Sequence, residues 1–419
     1  QRLSLCDMGE AAQRRLDHAA LGEMERLYPA LDVIVPLTPL QEGLLFETLK
    51  LPEGAIDPYH VQVALRLEGE LDVSRMEQAW QRLMARHQIL RLRVPEVARE
   101  RGLGIIVPDD GSGWRVGSLG AGSIRSALDA DLAQPFDLEA GSLIRMALLR
   151  EDEQAHWLML SNHHVMMDGW SLAVLIRELA DGYEGLNLGP VLRWQDHAEA
   201  LGLRDQTGAQ DYWGEYLAGF AGPARLDLPR PVAAESGLGA VTRALDGKVS
   251  GQLNALASRH GLTMASVLQG AWMLLVGRLA RSQDVVIGTT RSGRTGGSAL
   301  EDKAVGLFIK TLPLRWQIDA NGSFVAQLQA LQDAQAQQLE HDHVPLATIQ
   351  RLAGEDASAG TGDDAGRGLF ETLFVFENYP SRMSGDGFAG GLRVTDTHAL
   401  DGTSYLLALQ ASGTQQVQL

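Results

Sequence analysis

One stretch constrains this chain more than any other. From Gln154 it runs "QAHWLMLSNHH", reaches Asp168 and Gly169, and continues at Trp170 as "WSLAVLIRELADGY". The first run is strand-like. Together with the preceding "SLIRMALLRED" and a short polar turn it reads as a hairpin. The last run has helical periodicity. A hairpin must therefore hand over to a helix through a bend at Asp168 and Gly169. Successive side chains of a strand point to opposite faces. His163 and His164 are thus expected on opposite sides, one ring lining an open cavity and the other packed in the sheet. Gly169 permits a backbone geometry, or an open path, that a side chain would hinder.

The rest of the chain mixes strands and helices without regular βαβ alternation, so an α+β class follows. Residues 7–28 are predicted as one helix ending before Pro29. Thr38 is placed at an N-cap with Pro39 at the first helical position. A strand is expected over His60–Glu68. Ser74 and Glu77 form a capping-box pattern opening a helix to His87. After a Pro, Gly and Ala-rich connection from Pro223 to Gly239, Thr263 caps a long apolar helix to Leu279. "DVVIGTT", "AVGLFIKTLPLRW" and "LFETLFVFEN" read as strands, and Ser323 opens a helix to Glu340. Residues 354–368 read as a flexible surface loop.

Bulk properties narrow the function classes. The 419 residues exceed one ordinary core, so two domains are expected. With 36 basic and 53 acidic residues the net charge is −17, unfavourable for general binding to nucleic acid or an anionic membrane. Cys6 is the single cysteine, which rules out an internal disulfide and fits a reducing, cytoplasmic setting. No cysteine cluster for zinc exists, and no metal site is expected. No apolar run is long enough to span a bilayer. The charged N-terminus lacks a signal-peptide core. A start at glutamine and a stop within the strand-like "SGTQQVQL" suggest a piece of a longer polypeptide.

A plain reading of the opening stretch makes both histidines satisfied core residues and Asp168 an N-cap. The whole spacing H-H-x-x-x-D-G argues for more, because it resembles the third motif of the condensation domains of nonribosomal peptide synthetases. Other stretches resemble that family's motifs in order. "PLTPLQEGLLF" at Pro36 is similar to the first and "RHQILR" at Arg86 to the second. "RWQDHA" at Arg193 echoes the fourth and "VGLFIKTLPLR" at Val305 the fifth. "HDHVPLATIQ" at His341 is similar to the sixth and "LFVFENYP" at Leu373 to the seventh. The first, fifth and seventh are most like the subtype that follows an epimerisation domain and accepts a D-configured donor. The segment "LSLCDM" and its helix resemble the linker after such a domain.

The resemblance implies an α+β fold of two chloramphenicol-acetyltransferase-like lobes in a V-shaped pseudo-dimer with a tunnel between them. Residues 1–30 would be a linker, 31–190 an N-terminal lobe with the motif, and 191–419 a C-terminal lobe. Upstream donor and downstream acceptor carrier proteins would supply phosphopantetheine arms, with epimerisation and adenylation domains as neighbours and no cofactor bound by this domain itself. The acceptor amine attacks the donor thioester, and alignment and desolvation are the main demands. An imidazole, titrating near neutral pH, can take or orient the amine's proton.

The resemblance gives that place to His164, with His163 in the sheet. It pairs Asp168 with Arg294 of the "SGR" segment Ser292, Gly293 and Arg294. Gly169, Trp170, Ser171 and Asn378 are candidates to line the tunnel or touch substrate. Lys310 stands where the family carries asparagine, and burial there requires the tunnel mouth or a carboxylate. His341 and His343 read as a surface loop after a helix. His87 reads as holding a helix end, and Trp194 and Trp213 as packing residues. Three other readings share parts of the pattern: an epimerisation domain, a non-catalytic docking relative, and a free acyltransferase using coenzyme A.

Overall fold

The computed structural model describes residues 4–52, 54–223, 225–226, 239, 241–294, 300–354, 368–377, 388–400, 402–403, 405–413 and 416–419. In chain order the strands are β1 (Val33–Pro36), β2 (His60–Glu68), β3 (Leu92–Arg93), β4 (Leu103–Ile106), β5 (Trp114–Ser118) and β6 (Ile144–Arg150). They continue as β7 (Ala155–His163), β8 (Asp284–Arg291), β9 (Lys310–Gln317), β10 (Thr372–Glu377), β11 (Arg393–Leu400) and β12 (Leu407–Ser412). Among the described residues no single helix is long and apolar enough to cross a membrane.

The chain divides into two compact units. The first is Gln1–Arg204 with Arg294–Phe308 and Tyr379–Gly402; the second is Asp205–Gly293, Ile309–Asn378 and Thr403–Leu419. This differs from the contiguous 31–190 and 191–419 expected from the sequence. The chain returns to the first unit twice, because β11 pairs with β2 and because Arg294–Phe308 supplies partners to Asp168. Residues expected as a linker are part of that unit's core: Met8, Ala12, Leu16, Ala20, Leu21 and Met24 pack with Ile34, Leu103 and Ile105. The single helix expected over 7–28 is broken. Asp17 takes an N-cap, accepting from the Ala20 amide at 2.7 Å, and starts the helix His18–Leu27.

The first unit holds a three-stranded sheet, β1-β4-β3, and a five-stranded sheet, β11-β2-β7-β6-β5. The expected hairpin is present as the antiparallel pair β6–β7. β7 is buried at all nine positions, as its central place in the sheet allows and an exposed edge would not. The helix Ile124–Leu132 covers part of this sheet, with Ile124 and Leu128 against Ala64, Trp157 and Met159. Thr38 is the expected N-cap with Pro39 at the first helical position, and Gln41 completes a capping box with it that sequence reasoning did not name. The next helix, Val73–Arg86, is capped by Asp72 and not by Ser74, since the Asp72 carboxylate already takes the Arg75 amide at 3.0 Å. Its end is held as expected: the buried His87 ring meets Glu178 at 2.8 Å, and Arg86 Nε donates to the same oxygen at 2.9 Å.

The second unit is built on the sheet β12-β10-β8-β9. The helix Met264–Ala280, capped by Thr263, lays Trp272, Met273 and Val276 against Val285, Ile287, Leu314 and Phe374. The strand expected from Ala304 begins only at Lys310. The preceding residues belong to the first unit, where the Phe308 amide is bonded to Asp168 and so is not offered to a ladder.

Asp131 shows how a buried charge is kept in the first unit. It accepts from Gln62 Nε2 at 2.8 Å, faces His60 Nε2 at 3.2 Å and pairs with Arg145 Nε at 3.3 Å. Burial alone would raise its pKa. The hydrogen bonds from His60 and Gln62 and the charge of Arg145 outweigh it and hold the carboxyl down, from 3.8 to about 2. A folded-state value below the unfolded one stabilises the protein above the unfolded value. That contribution, about 2 kcal/mol, is lost as pH falls through the folded value. Urea melts between the unfolded value of 3.8 and about 2 should show this loss in the native chain and a shallower one in Asp131→Asn; equal losses would contradict it.

Candidate active site

β7 ends at His163, one residue earlier than the sequence suggests. His163 pairs across the sheet with His60, and its amide donates to Leu143 O at 2.9 Å. His164 opens a turn instead of extending the strand, so the two rings are separated by a change of backbone and not by strand alternation. The His163 ring is 1% exposed. Its Nδ1 accepts the Val165 amide at 3.1 Å, so the ring hydrogen sits on Nε2, which faces Asp57 Oδ2 at 3.2 Å and Thr48 Oγ1 at 3.1 Å. Burial works to raise the Asp57 carboxyl. Hydrogen bonds from His163, from the Tyr59 amide and from Thr48 prevail and hold it below the usual carboxylate range. His163 is thus the packed ring, as expected.

The turn after it is held from several sides. The His164 amide donates to Tyr59 O at 2.8 Å, and Gln41 Nε2 donates to Val165 O at 2.9 Å. Val165, Met166 and Met167 are buried. His164 is half-buried, and its Nδ1 is buried without a hydrogen-bond partner among the described residues. Partners on both nitrogens therefore fix the tautomer of His163, while among the described residues none fixes that of His164 through Nδ1.

Asp168 is both the N-cap and the charge partner that the sequence offered as separate readings. It is 2% exposed. Oδ1 accepts the Ser171 amide at 2.8 Å at the start of the helix Gly169–Tyr183, and Oδ2 accepts the Phe308 amide at 2.9 Å. Arg294 Nη2 lies 3.5 Å from Oδ1. The same nitrogen is closer to Ser171 Oγ, at 2.8 Å, while Nη1 donates to the carbonyls of Glu301 and Ala304. The guanidinium carbon sits 4.1 Å from the Phe308 ring centroid. Burial pushes the Arg294 pKa down, and Asp168, Asp302 and Glu301 oppose it.

The remaining candidates divide. Ser171 is not a substrate contact: it is fully buried, donates to Gly306 O at 2.7 Å and accepts from Gly306 N at 3.1 Å as well as from Arg294. Trp170 is half-buried and tied to the same segment, its Nε1 donating to Asp302 O at 3.0 Å. Gly169 occupies the first helical position and is not among the glycines with positive φ, so no backbone angle here demands glycine. Asn378 lies outside the described residues, as do most of 354–368 and of the connection before Gly239.

In the second unit Lys310 meets the carboxylate its burial requires, with Nζ 2.6 Å from Asp342 Oδ1. His341 and His343 lie in a turn after the helix, as expected, but not on an open surface: His341 is half-buried and His343 buried. His341 stacks on Tyr212 with centroids 4.1 Å apart, and the buried His343 bonds to Asp205 O at 2.7 Å. Trp213 packs as expected, fully buried. Trp194, in the first unit, packs edge-on to Phe308 at 5.5 Å. Among the described residues no group of three acidic, histidine or cysteine side chains is arranged for a metal ion. Sequence reasoning missed Asp57, Thr48 and Gln41. For Gln41 a signal existed, its place in a capping box; Asp57 and Thr48 carried none.

One turn thus carries a half-buried imidazole beside a latched one, on a mixed α/β scaffold. Residues 32–408 match the condensation domain family, and the chain belongs to it: the amide-forming acyltransferases of nonribosomal peptide synthesis. It is 32% identical over 418 residues to a linear gramicidin synthase polypeptide of Brevibacillus parabrevis, covering 94% of this chain and 5% of that protein. It is 31% identical over 412 residues to vanchrobactin synthetase VabF of Vibrio anguillarum, covering 94% of this chain and 14% of that protein. The chain thus spans a small part of the synthetases it matches.

Two solved structures share the fold. One is the X-domain bound to OxyB from teicoplanin biosynthesis (TM-score 0.75, 24% identity, 92% of this chain and 86% of that chain). The other is the starter condensation domain of rhizomide synthetase RzmA, in complex with C8-CoA and Leu-SNAC (TM-score 0.74, 20% identity, 96% of this chain and 90% of that chain).

Removing one member of a buried ion pair leaves the other uncompensated, at a cost of roughly 3–5 kcal/mol. Asp168→Ala and Arg294→Ala should each destabilise the fold on this scale. A double-mutant cycle by urea unfolding should show strong coupling. Additive single effects would remove the pair as an energetic unit.

Proposed function

We propose that this chain joins a carrier-bound donor thioester, D-configured at its reacting residue, to a carrier-bound acceptor aminoacyl thioester, with His164 as the residue that meets the attacking amine. The observation that supports this most is the contrast between the two rings. His163 has both nitrogens engaged by its own protein, whereas His164 Nδ1 has no partner among the described residues. An imidazole whose tautomer the protein leaves open can accept the amine's proton or hold the amine by a hydrogen bond, and both roles suit this geometry.

The chemistry asks little more of the chain. A thioester carbonyl is already activated, and the amine is a good nucleophile once desolvated and aligned. As nitrogen bonds to the carbonyl carbon, the carbon–sulfur bond breaks, the donor carrier's sulfur leaves with the bonding pair as a thiolate, and the proton lost by the amine reaches that sulfur, directly or by way of His164, to give the thiol. The buried residues Val165, Met166 and Met167 give the turn an apolar backing. Asp168, bonded at both oxygens to main-chain amides, is engaged in structure and takes no proton in this scheme.

The partners follow from the substrates: an upstream donor carrier protein and a downstream acceptor carrier protein, each bearing its own phosphopantetheine arm, with epimerisation and adenylation domains as neighbours. The D-configured donor rests on the form of three stretches, "PLTPLQEGLLF", "VGLFIKTLPLR" and "LFVFENYP", which resemble the subtype that follows an epimerisation domain.

Donor and acceptor aminoacyl groups loaded on separate carrier proteins should yield a dipeptide on the acceptor, read by mass spectrometry, and the D-donor should outcompete its L-form. No dipeptide with either donor would overturn the proposal; a clear L-preference would overturn the donor configuration alone.

A further inference from the structure

We propose that Asp57 is a positioning residue for His164: its two carboxylate oxygens orient the two groups that grip the backbone on either side of that histidine. Oδ1 accepts the Tyr59 amide at 2.8 Å, and Tyr59 O accepts the His164 amide at 2.8 Å. Oδ2 accepts the His163 Nε2 hydrogen at 3.2 Å, and His163 Nδ1 accepts the Val165 amide at 3.1 Å. The amides of His164 and Val165, before and after the His164 side chain, are thus both tied, one step removed, to one carboxylate. This inference rests on the reading of His164 given above and names what sets its ring in place.

The second arm works through a tautomer. His163 can accept from Val165 only while its hydrogen sits on Nε2, and a carboxylate facing Nε2 secures that arrangement. Thr48 supports it, its hydroxyl lying 3.1 Å from the same nitrogen and bonded to Asp57. Asp57 is largely enclosed, with 14% of its side chain exposed, which keeps water from competing for these bonds. It stands just before β2, outside every motif stretch, and reaches the turn across 106 residues of sequence.

Asparagine keeps the size of aspartate but offers one acceptor oxygen and one donor nitrogen. It can satisfy the Tyr59 amide or His163 Nε2–H, not both. With the oxygen on Tyr59, its amide nitrogen faces Nε2, the hydrogen moves to Nδ1, and Nδ1–H then confronts the Val165 N–H. The turn loses a fixed point and the His164 ring drifts. Misplacement of this kind lowers turnover by about 10- to 100-fold without touching substrate binding.

The test combines histidine-selective 15N NMR with steady-state kinetics on the whole chain, using carrier-loaded donor and acceptor. In the wild type the His163 resonances, identified by their loss in His163→Gln, should report hydrogen on Nε2. In Asp57→Asn they should report hydrogen on Nδ1, while kcat falls about 10- to 100-fold, KM for both thioesters holds, and melting stays cooperative. Thr48→Val should keep the tautomer and lose less turnover. Hydrogen on Nδ1 in the wild type, or full kcat in a folded Asp57→Asn, would overturn the proposal. Should Asp57→Asn fail to fold, the wild-type tautomer and Thr48→Val decide it in the same way. A wild-type chain that makes no dipeptide would overturn the proposed function and not the latch, which the spectra read without turnover.

Discussion

The buried carboxylate of Asp168 is the interaction on which the rest of the first unit's site depends. A charge so enclosed is tolerable only when each lone pair is met. Here one oxygen takes the Ser171 amide in the first turn of a helix and the other takes the amide of Phe308, far along the chain. Arg294 brings the compensating charge, its Nη2 also meeting Ser171 and its Nη1 donating to the carbonyls of Glu301 and Ala304. One acid therefore starts a helix, ends a turn and ties the segment Arg294–Phe308 to both. Neither the helix Gly169–Tyr183 nor the turn before it is free to shift without exposing that charge to an unpaired state.

The consequence is a turn fixed at both ends. Asp168 holds its exit. Its entry is held by β7, whose nine buried residues leave no room for a slip in register, and by His163, bonded to Val165 on one side and Asp57 on the other. Between these points lies His164, half-buried and with one ring nitrogen unclaimed among the described residues. Two identical side chains, adjacent in sequence, thus acquire opposite roles. The difference comes from what surrounds each ring: one meets a carboxylate, a hydroxyl and an amide, the other meets no protein partner at Nδ1 among the described residues.

Much of this was legible in the sequence. The hairpin, the bend and the helix followed from hydrophobic periodicity, and Thr38 with Pro39 announced an N-cap that the structure contains. The pairing of Asp168 with Arg294 came from family resemblance, because no local pattern links residues so far apart. What escaped was governed by long-range hydrogen bonding. Residues 304–309 look like strand, yet the Phe308 amide serves Asp168. Ser171 looks like a polar group available to substrate, yet Gly306 and Arg294 saturate it. Asp57 looks like a turn residue, and only the fold brings it to His163. His341 and His343 follow a helix in a turn, but Tyr212 stacks on the half-buried His341 and Asp205 bonds the buried His343.

The central claim is the division of labour between His163 and His164, and the direct measurement is to replace each by alanine and record unfolding and dipeptide formation on the same samples. The account predicts crossed outcomes: His164→Ala melts like the native chain and loses most of its turnover, while His163→Ala melts at clearly lower temperature. Normal turnover in a folded His164→Ala, or a melt of His163→Ala identical to the native chain, would contradict it.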